Sequence, residues 1–183
     1  SGRVPTFAIV DGPAVSGPAL LLGLVDVVIM TSTSYAFVNG PLMIRQFTGV
    51  DITKDELGSA STMERSAGLA TAVVETRKEG RDVIVEILKY LPDRVDAETP
   101  RLPTSDPIDR LTPEAGDHIP ETATGSYDVR SVVESIVDDG VITEIRSQWA
   151  LNIVTAFASI GGRPVGIIAN QPMALAGTLD IPA

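Results

Sequence analysis

A chain of 183 residues, 44% of them hydrophobic, is long enough to bury a full core. Its formal net charge of −10 argues against nucleic acid as a partner, since phosphate binding needs clustered Lys and Arg. The absence of cysteine excludes a disulfide scaffold or a thiolate zinc site and fits a reducing cytoplasm. Charged residues interrupt every long apolar stretch and no secretory signal opens the chain, so neither a membrane span nor export is expected.

The apolar run Thr6-Phe7-Ala8-Ile9-Val10 predicts a buried strand. It leads into Asp11-Gly12-Pro13-Ala14-Val15-Ser16-Gly17-Pro18, a tight small-residue loop, and then into the first turn of a helix from Ala19. Such a loop directs unpaired N–H groups at one spot, at the positive end of a helix dipole, where a developing oxyanion or a phosphate can be held. Taken locally, an ordinary strand-to-helix turn explains it as well.

Residues 25–30 read as a buried strand and 35–38 as a short one, with Pro41 suited to the first position of a helix running to Gln46. Thr53-Lys54-Asp55-Glu56 has the capping-box pattern, and 69–74 is a further strand candidate. Thr76-Arg77-Lys78-Glu79 repeats the capping signal before a helix whose Val83, Ile84, Ile87, Leu88 and Leu91 fall on one stripe, ended by Pro92. Residues 93–126 carry five prolines, which deny the segment regular helix or central strand, and acids that keep it solvated, the composition of a linker between domains. Asp128 then caps a helix with Val129, Val132, Val133, Ile136 and Val137 inward and Gly140 at its end. Residues 153–160 and 164–169 flank Gly161-Gly162, a strong hairpin signal.

Several segments match a known family in order and spacing. They are the Gly12–Pro18 loop with Asp26 beyond it, Ser34-Tyr35-Ala36-Phe37-Val38-Asn39-Gly40-Pro41, Thr48-Gly49-Val50-Asp51-Ile52-Thr53 and Glu56-Leu57-Gly58. Further on come Tyr90-Leu91-Pro92, Asp106-Pro107-Ile108-Asp109-Arg110-Leu111, Pro113-Glu114, Tyr127-Asp128-Val129, Val137-Asp138-Asp139, Asn152-Ile153 and Gly162-Arg163-Pro164-Val165-Gly166-Ile167-Ile168-Ala169-Asn170-Gln171-Pro172. Across essentially its whole length the chain resembles the carboxyltransferase (beta) subunit of biotin-dependent acyl-CoA carboxylases, of the acetyl- and propionyl-CoA carboxylase type.

The resemblance implies an α/β, crotonase-like (ClpP/crotonase) ββα spiral. It implies the end of a first domain at 1–92, a proline-rich acidic linker at 93–126, ordered and pinned best at 106–111, and a helix and hairpin opening a second domain at 127–183. It also implies that the chain is a central fragment of a longer cytoplasmic subunit. The implied activity is that of a ligase or transferase: the carboxyl group passes from carboxybiotin to the α-carbon of an acyl-CoA, through an enolate held in a backbone oxyanion hole. The amides of Ser16 and Gly17 would form that hole, and Gly12, Pro13, Ala14, Gly40 and Pro41 would line the substrate site. Biotin would arrive on a partner, the biotin carboxylase and biotin carrier (alpha) subunit, and the subunit would assemble as a homo- or hetero-oligomer. The family's Gly-Gly-Ala is Ser16-Gly17-Pro18 here, and Pro18 has no N–H while Ser16 lacks the conformational freedom of glycine. That departure keeps a second reading open, a non-catalytic scaffold paralogue of a carboxylase complex.

Other chemistries find less support. Ser16 lacks the Gly-x-Ser-x-Gly context of a hydrolase nucleophile, and the single histidine, His118, lies in the proline-rich stretch. Asp138 and Asp139 lack ligand spacing, so no metal is expected, and no Walker or dinucleotide fingerprint is present. Trp149 is expected to fill core or interface space. Given the acidic balance, coenzyme A phosphates would need a local basic group, with Arg45, Lys54, Arg65, Arg77, Lys78 and Arg81 as candidates.

Overall fold

Residues 7–48 fold as two turns of one repeat: a strand in a three-stranded sheet, a strand in a two-stranded ribbon, then a helix. The computed structural model describes residues 2–122 and 125–183. The first turn is β1 (Phe7–Val10), β2 (Pro13–Val15) and α1 (Gly17–Leu22); the second is β3 (Val27–Thr31), β4 (Tyr35–Phe37) and α2 (Pro41–Thr48). β1 and β3 pair in parallel from Phe7↔Val27 to Val10↔Met30, and β3 pairs in parallel with β5 (Ala72–Val74). β2 and β4 pair in parallel as a separate ribbon. A sheet of parallel strands is covered on both faces, which is why β3 is apolar without alternation and why Ile29 and Met30 are fully buried. At its start, Asp26 accepts from the Thr6 amide (2.8 Å) and the Thr6 hydroxyl (2.7 Å), which hold its carboxyl below the usual range.

The helices between β4 and β5 follow the capping signals. Thr53 and Glu56 close a reciprocal capping box on α3 (Lys54–Gly58), and the Ser59 side chain accepts from the Thr62 amide at the start of α4 (Ala60–Arg65). Strand β5 is shorter than the expected 69–74 because the amides of Leu69 and Ala70 both donate to Met63 O, ending α4 instead of joining the sheet. In α5 (Arg77–Leu88), the Glu79 amide donates to the Thr76 hydroxyl, but the Glu79 carboxylate returns to the amide of Glu75, one residue earlier than a capping box requires. Leu88, expected on the inward apolar stripe, is exposed, whereas Ile87 is buried.

The chain forms two compact units, 1–85 with 93–96 and 86–92 with 97–183. The second holds α6 (Glu114–Asp117), α7 (Val129–Ile136) and an antiparallel sheet β6-β7-β8, with β6 (Thr143–Ile145), β7 (Ile153–Ile160) and β8 (Arg163–Asn170). α6 is a four-residue helix inside the stretch whose prolines were expected to deny one; Pro113 sits at its N-cap, where proline is tolerated. β6 carried no recognisable sequence signal. The Asp128 carboxylate caps α7 by accepting from the Arg130 amide at 2.9 Å. Val133, Val137 and Ala158 form the unit's core, while Ile136 is half exposed because α7 ends there and Gly140 closes a separate 3₁₀ turn. Tyr90 stacks on Phe157 with ring centroids 5.7 Å apart.

The Gly161-Gly162 turn has φ of 59° and 71°, the two positive values a two-residue hairpin needs. Its amides both donate to the buried Asp138 carboxylate at 2.8 Å. Residues 102–110 drape over the same region. The Leu102 amide donates to Gly162 O (2.9 Å), the Ser105 hydroxyl bonds Asp139, and Asp106 accepts from the Asp139 amide (2.9 Å). Arg110 pairs with Asp106 (3.0 Å) and donates to the carbonyls of Ser135, Ile136 and Val137 that end α7. The expected pinning of 106–111 thus has a physical agent, a guanidinium that satisfies orphaned helix carbonyls.

Burial pushes the Asp138 carboxyl up, but the amides of Gly162 and Gly161 and the Ser159 hydroxyl outweigh it and hold it below the ordinary value. Its contribution to stability is therefore present above the ordinary carboxylate range and lost as pH falls below about 4. Asp138→Asn is expected to cost about 2 kcal/mol at neutral pH. Denaturant unfolding of both proteins across pH checks this: the gap between them should narrow in acid, and a gap independent of pH would contradict it.

Candidate functional site

What sets the small-residue loop is the parallel pairing of β2 with β4. Pro13, Ala14 and Val15 face Tyr35, Ala36 and Phe37, and the ladder extends by Tyr35 N–H to Gly12 O (3.3 Å) and Ser16 N–H to Phe37 O (3.0 Å). Because the strands run the same way, α1 and α2 begin at the same end of the ribbon. The expected site residues Ser16 and Gly17 follow one strand, and Gly40 and Pro41 follow the other at the start of α2. Part of the expected loop is thus strand, since 13–15 find partners 22 residues on that local sequence does not show. Ala14 is buried in the core and offers no side chain outward, while Pro13, Ser16 and Gly17 are exposed.

Ser16 adopts φ 62°, ψ −117°, a conformation that favours glycine. Its amide is engaged with Phe37 O and its carbonyl accepts from Leu20 (3.1 Å), so it locks the strand-to-helix corner. Gly17 is the first residue of α1 and Pro18 the second, so the helix starts two residues before Ala19. Among the described residues the Gly17 amide has no partner, as expected for the first turn of a helix. Of the two amides expected in an oxyanion hole, Gly17 is the one left free. Ser16→Gly is expected to relieve the strain and stabilise the first unit by about 1 kcal/mol, net of the entropy glycine adds to the unfolded chain. A thermal midpoint unchanged or lowered in that variant would show that Ser16 is unstrained.

Gly40 is the N-cap of α2 with φ −75°, ψ 169°, and Pro41 occupies the first helical position, as its fixed φ and missing N–H favour. Tyr35 stacks on Phe37 (centroids 5.5 Å apart) and Lys54 lies 4.3 Å over the Tyr35 ring. Gly58 is buried beneath the same strand. Leu20 and Leu21 of α1 and Leu42 and Phe47 of α2 are exposed, so large apolar side chains stand on both helices that start at this end.

Of the basic candidates, Arg45 pairs with Asp51 (3.2 Å) and Arg77 with Asp11 (2.7 Å). His118 is exposed at the end of α6. Trp149 is half-buried and donates from Nε1 to Pro182 O at 3.1 Å. Among the described residues no group of His, Asp or Glu is arranged to hold a metal ion, and no helix is long and apolar enough to cross a membrane.

The whole chain, residues 1–183, matches the family described as the carboxyl transferase domain. The chain belongs to that family. It is 38% identical over 183 residues to the methylmalonyl-CoA carboxyltransferase 12S subunit of Propionibacterium freudenreichii subsp. shermanii, covering all of this chain and 35% of that protein. It is 35% identical to the propionyl-CoA carboxylase carboxyltransferase subunit of Haloferax mediterranei, covering all of this chain and 36% of the relative. Among solved structures, transcarboxylase 12S, studied for its hexamer assembly and with hydrolysed methylmalonyl-coenzyme A bound, superimposes with TM-score 0.93 at 37% identity. That match covers all of this chain and 36% of the other. The chain therefore spans about a third of the length of the relatives it matches. The α/β, crotonase-like fold expected from the sequence is the one shared with these carboxyltransferases, and the two ββα turns built by β1–α2 are its local expression.

Within this family fold the free Gly17 amide is the feature sequence reasoning reached only in part. A bulky-residue-free loop signalled unpaired amides, but which amide stays free depends on the pairing of Ser16 with β4.

Proposed function

We propose that the chain is part of the carboxyltransferase component of a biotin-dependent acyl-CoA carboxylase, moving a carboxyl group from carboxybiotin to the α-carbon of an acyl-CoA. Residues 1–92 would be the later part of its first domain, 93–126 the crossing segment, and 127–183 the opening of the second. The observation that carries the reading is the exposed, unpartnered Gly17 amide at the start of α1, in a chain of this family. Carboxybiotin, when bound, would supply the carboxyl group and, once its N1–carboxyl bond has broken, N1 would take the acyl α-proton, leaving the enolate to form the new carbon–carbon bond to the released carboxyl carbon. The chain's own task is to hold the thioester so that negative charge on its oxygen meets a fixed donor, an effect worth on the order of 3–4 kcal/mol per donor.

In this reading the Gly17 N–H faces the thioester oxygen and Ser16 fixes its direction. Gly12, Pro13 and Ala14 shape the corner through backbone, and Gly40 and Pro41 bound the acyl-CoA site from the adjoining helix. The exposed leucines of α1 and α2 suit burial against another subunit or domain of an oligomer. None of Lys54, Lys78 and Lys89 stands beside a methionine, as the lysine of a biotin carrier does, so in this reading biotin is carried on a partner chain or domain. The complete subunit, in the cytoplasm, is expected to carboxylate propionyl-CoA or acetyl-CoA only when a carboxylated biotin carrier is supplied. Carboxylation with neither biotin nor carrier present would overturn the assignment. Acyl-CoA binding with no turnover under any supply of carrier would favour the scaffold reading, for which Ser16 and Pro18 are the supporting substitutions.

A further inference from the structure

The chain leaves the β1-β3-β5 sheet at Asp11 and enters the ribbon at Pro13, so two residues turn it from one sheet to the other. Gly12, between them, has φ 113°, a value side chains rarely adopt. The direction of β2, and of the loop that β2 carries, is set at this corner. Arg77, at the first position of α5, donates to Asp11 Oδ2 from Nε (2.9 Å) and Nη2 (2.7 Å). The Thr31 hydroxyl, at the end of β3, donates to Asp11 Oδ1 at 3.4 Å. Next to it the Ser32 hydroxyl donates to Glu75 (2.8 Å) and the Ser32 amide to Val74 O (2.8 Å). The carboxyl ends of all three parallel strands are thus stitched together where β1 turns into β2.

The Arg77 and Asp11 side chains are 75% and 37% exposed, so as an ion pair they contribute little to global stability. Their geometric leverage is larger. Only the three-residue strand β2 and Ser16 separate the corner from the Gly17 amide, and a misplacement of about 1 Å can lower a rate on the order of a hundredfold. A guanidinium already engaged by two donors on one carboxylate oxygen is also less free to meet a phosphate.

Resting on the carboxyltransferase reading, we infer that Arg77 and Asp11 are a positioning pair for the Gly17 amide, Arg77 acting through Asp11 rather than on coenzyme A phosphates. The test uses Arg77→Gln, Asp11→Asn and the double variant in the complete subunit with its biotin carrier and propionyl-CoA. Each single variant should lower kcat about tenfold with KM for propionyl-CoA within about twofold, and the double variant should lose no more than either single one. The thermal midpoint should stay within about 2 °C of wild type, as an exposed pair requires. Without any substrate, exchange of the Ser16 amide hydrogen, protected by Phe37 O, should quicken at least about fivefold in all three variants.

Unchanged Ser16 exchange in both single variants overturns the inference whatever the activity does. A raised KM with kcat kept in Arg77→Gln, and no effect of Asp11→Asn, overturns it in favour of direct phosphate contact. Quickened exchange in a subunit that shows no carboxylation even as wild type supports the positioning pair and defeats the functional reading instead.

Discussion

Replacing Gly17 by proline is expected to lower carboxyl transfer by the complete subunit about a hundredfold or more, while Gly17→Ala leaves it within a few-fold. One variant loses the N–H and the other keeps it, while the proline ring also presses on the preceding Ser16 at φ 62°. Gly17 is the first residue of α1, a position proline tolerates, so the substitution removes the free N–H without breaking a helical bond. Alanine keeps the N–H, and an added Cβ there meets nothing within 4 Å. Loss of a single oxyanion donor typically costs 10²–10³ in kcat, roughly 3–4 kcal/mol of transition-state stabilisation. Steady-state rates of both variants decide the matter, with oligomer size as the control for assembly. Equal turnover in the proline variant would move the oxyanion hole elsewhere; equal losses in both would point to loop shape rather than donation.

The second large effect is expected at Gly58. A Cβ added there would lie 2.1 Å from Ala36 O and 3.0 Å from Ala36 C, both backbone atoms of β4. No flexible side chain can yield, so Gly58→Ala must displace either α3 or the strand that accepts the Ser16 amide. Overpacking of this kind costs about 3 kcal/mol. Activity should fall with stability because the ribbon and the loop share β4. Gly40→Ala is the matched control: its Cβ would sit 3.5 Å from Phe37 Cε2, an ordinary contact, and the change at this N-cap should cost under about 1 kcal/mol. Denaturant unfolding of the two variants checks the order; a Gly58→Ala protein as stable as wild type would mean that α3 does not approach β4 so closely.

Sequence by itself determined the features whose causes are local. The capping box at Thr53 and Glu56, the Asp128 cap and the Gly-Gly hairpin each depend on residues within a few positions of one another, and each has the expected form. The parallel strand β3 was readable because burial on both faces leaves an uninterrupted apolar run. The family could be recognised because its motifs recur in order along the chain, and the crotonase-like fold followed from that resemblance.

Tertiary structure decided the rest, wherever the partner lies far along the chain. The three-residue strands β2 and β6 have no pattern of their own and exist because β4 and β7 offer free edges. In the sequence Asp138 stood out only as one of an acidic pair without ligand spacing, yet hairpin amides 23 and 24 residues away make it a buried anchor. The site divides the same way. A small-residue loop announced spare amides, but Phe37 takes the one on Ser16 and leaves the one on Gly17, and Arg77 reaches Asp11 across 66 residues. A backbone amide carries no side-chain signature, so only the pairing of distant strands can decide which one remains to do chemistry.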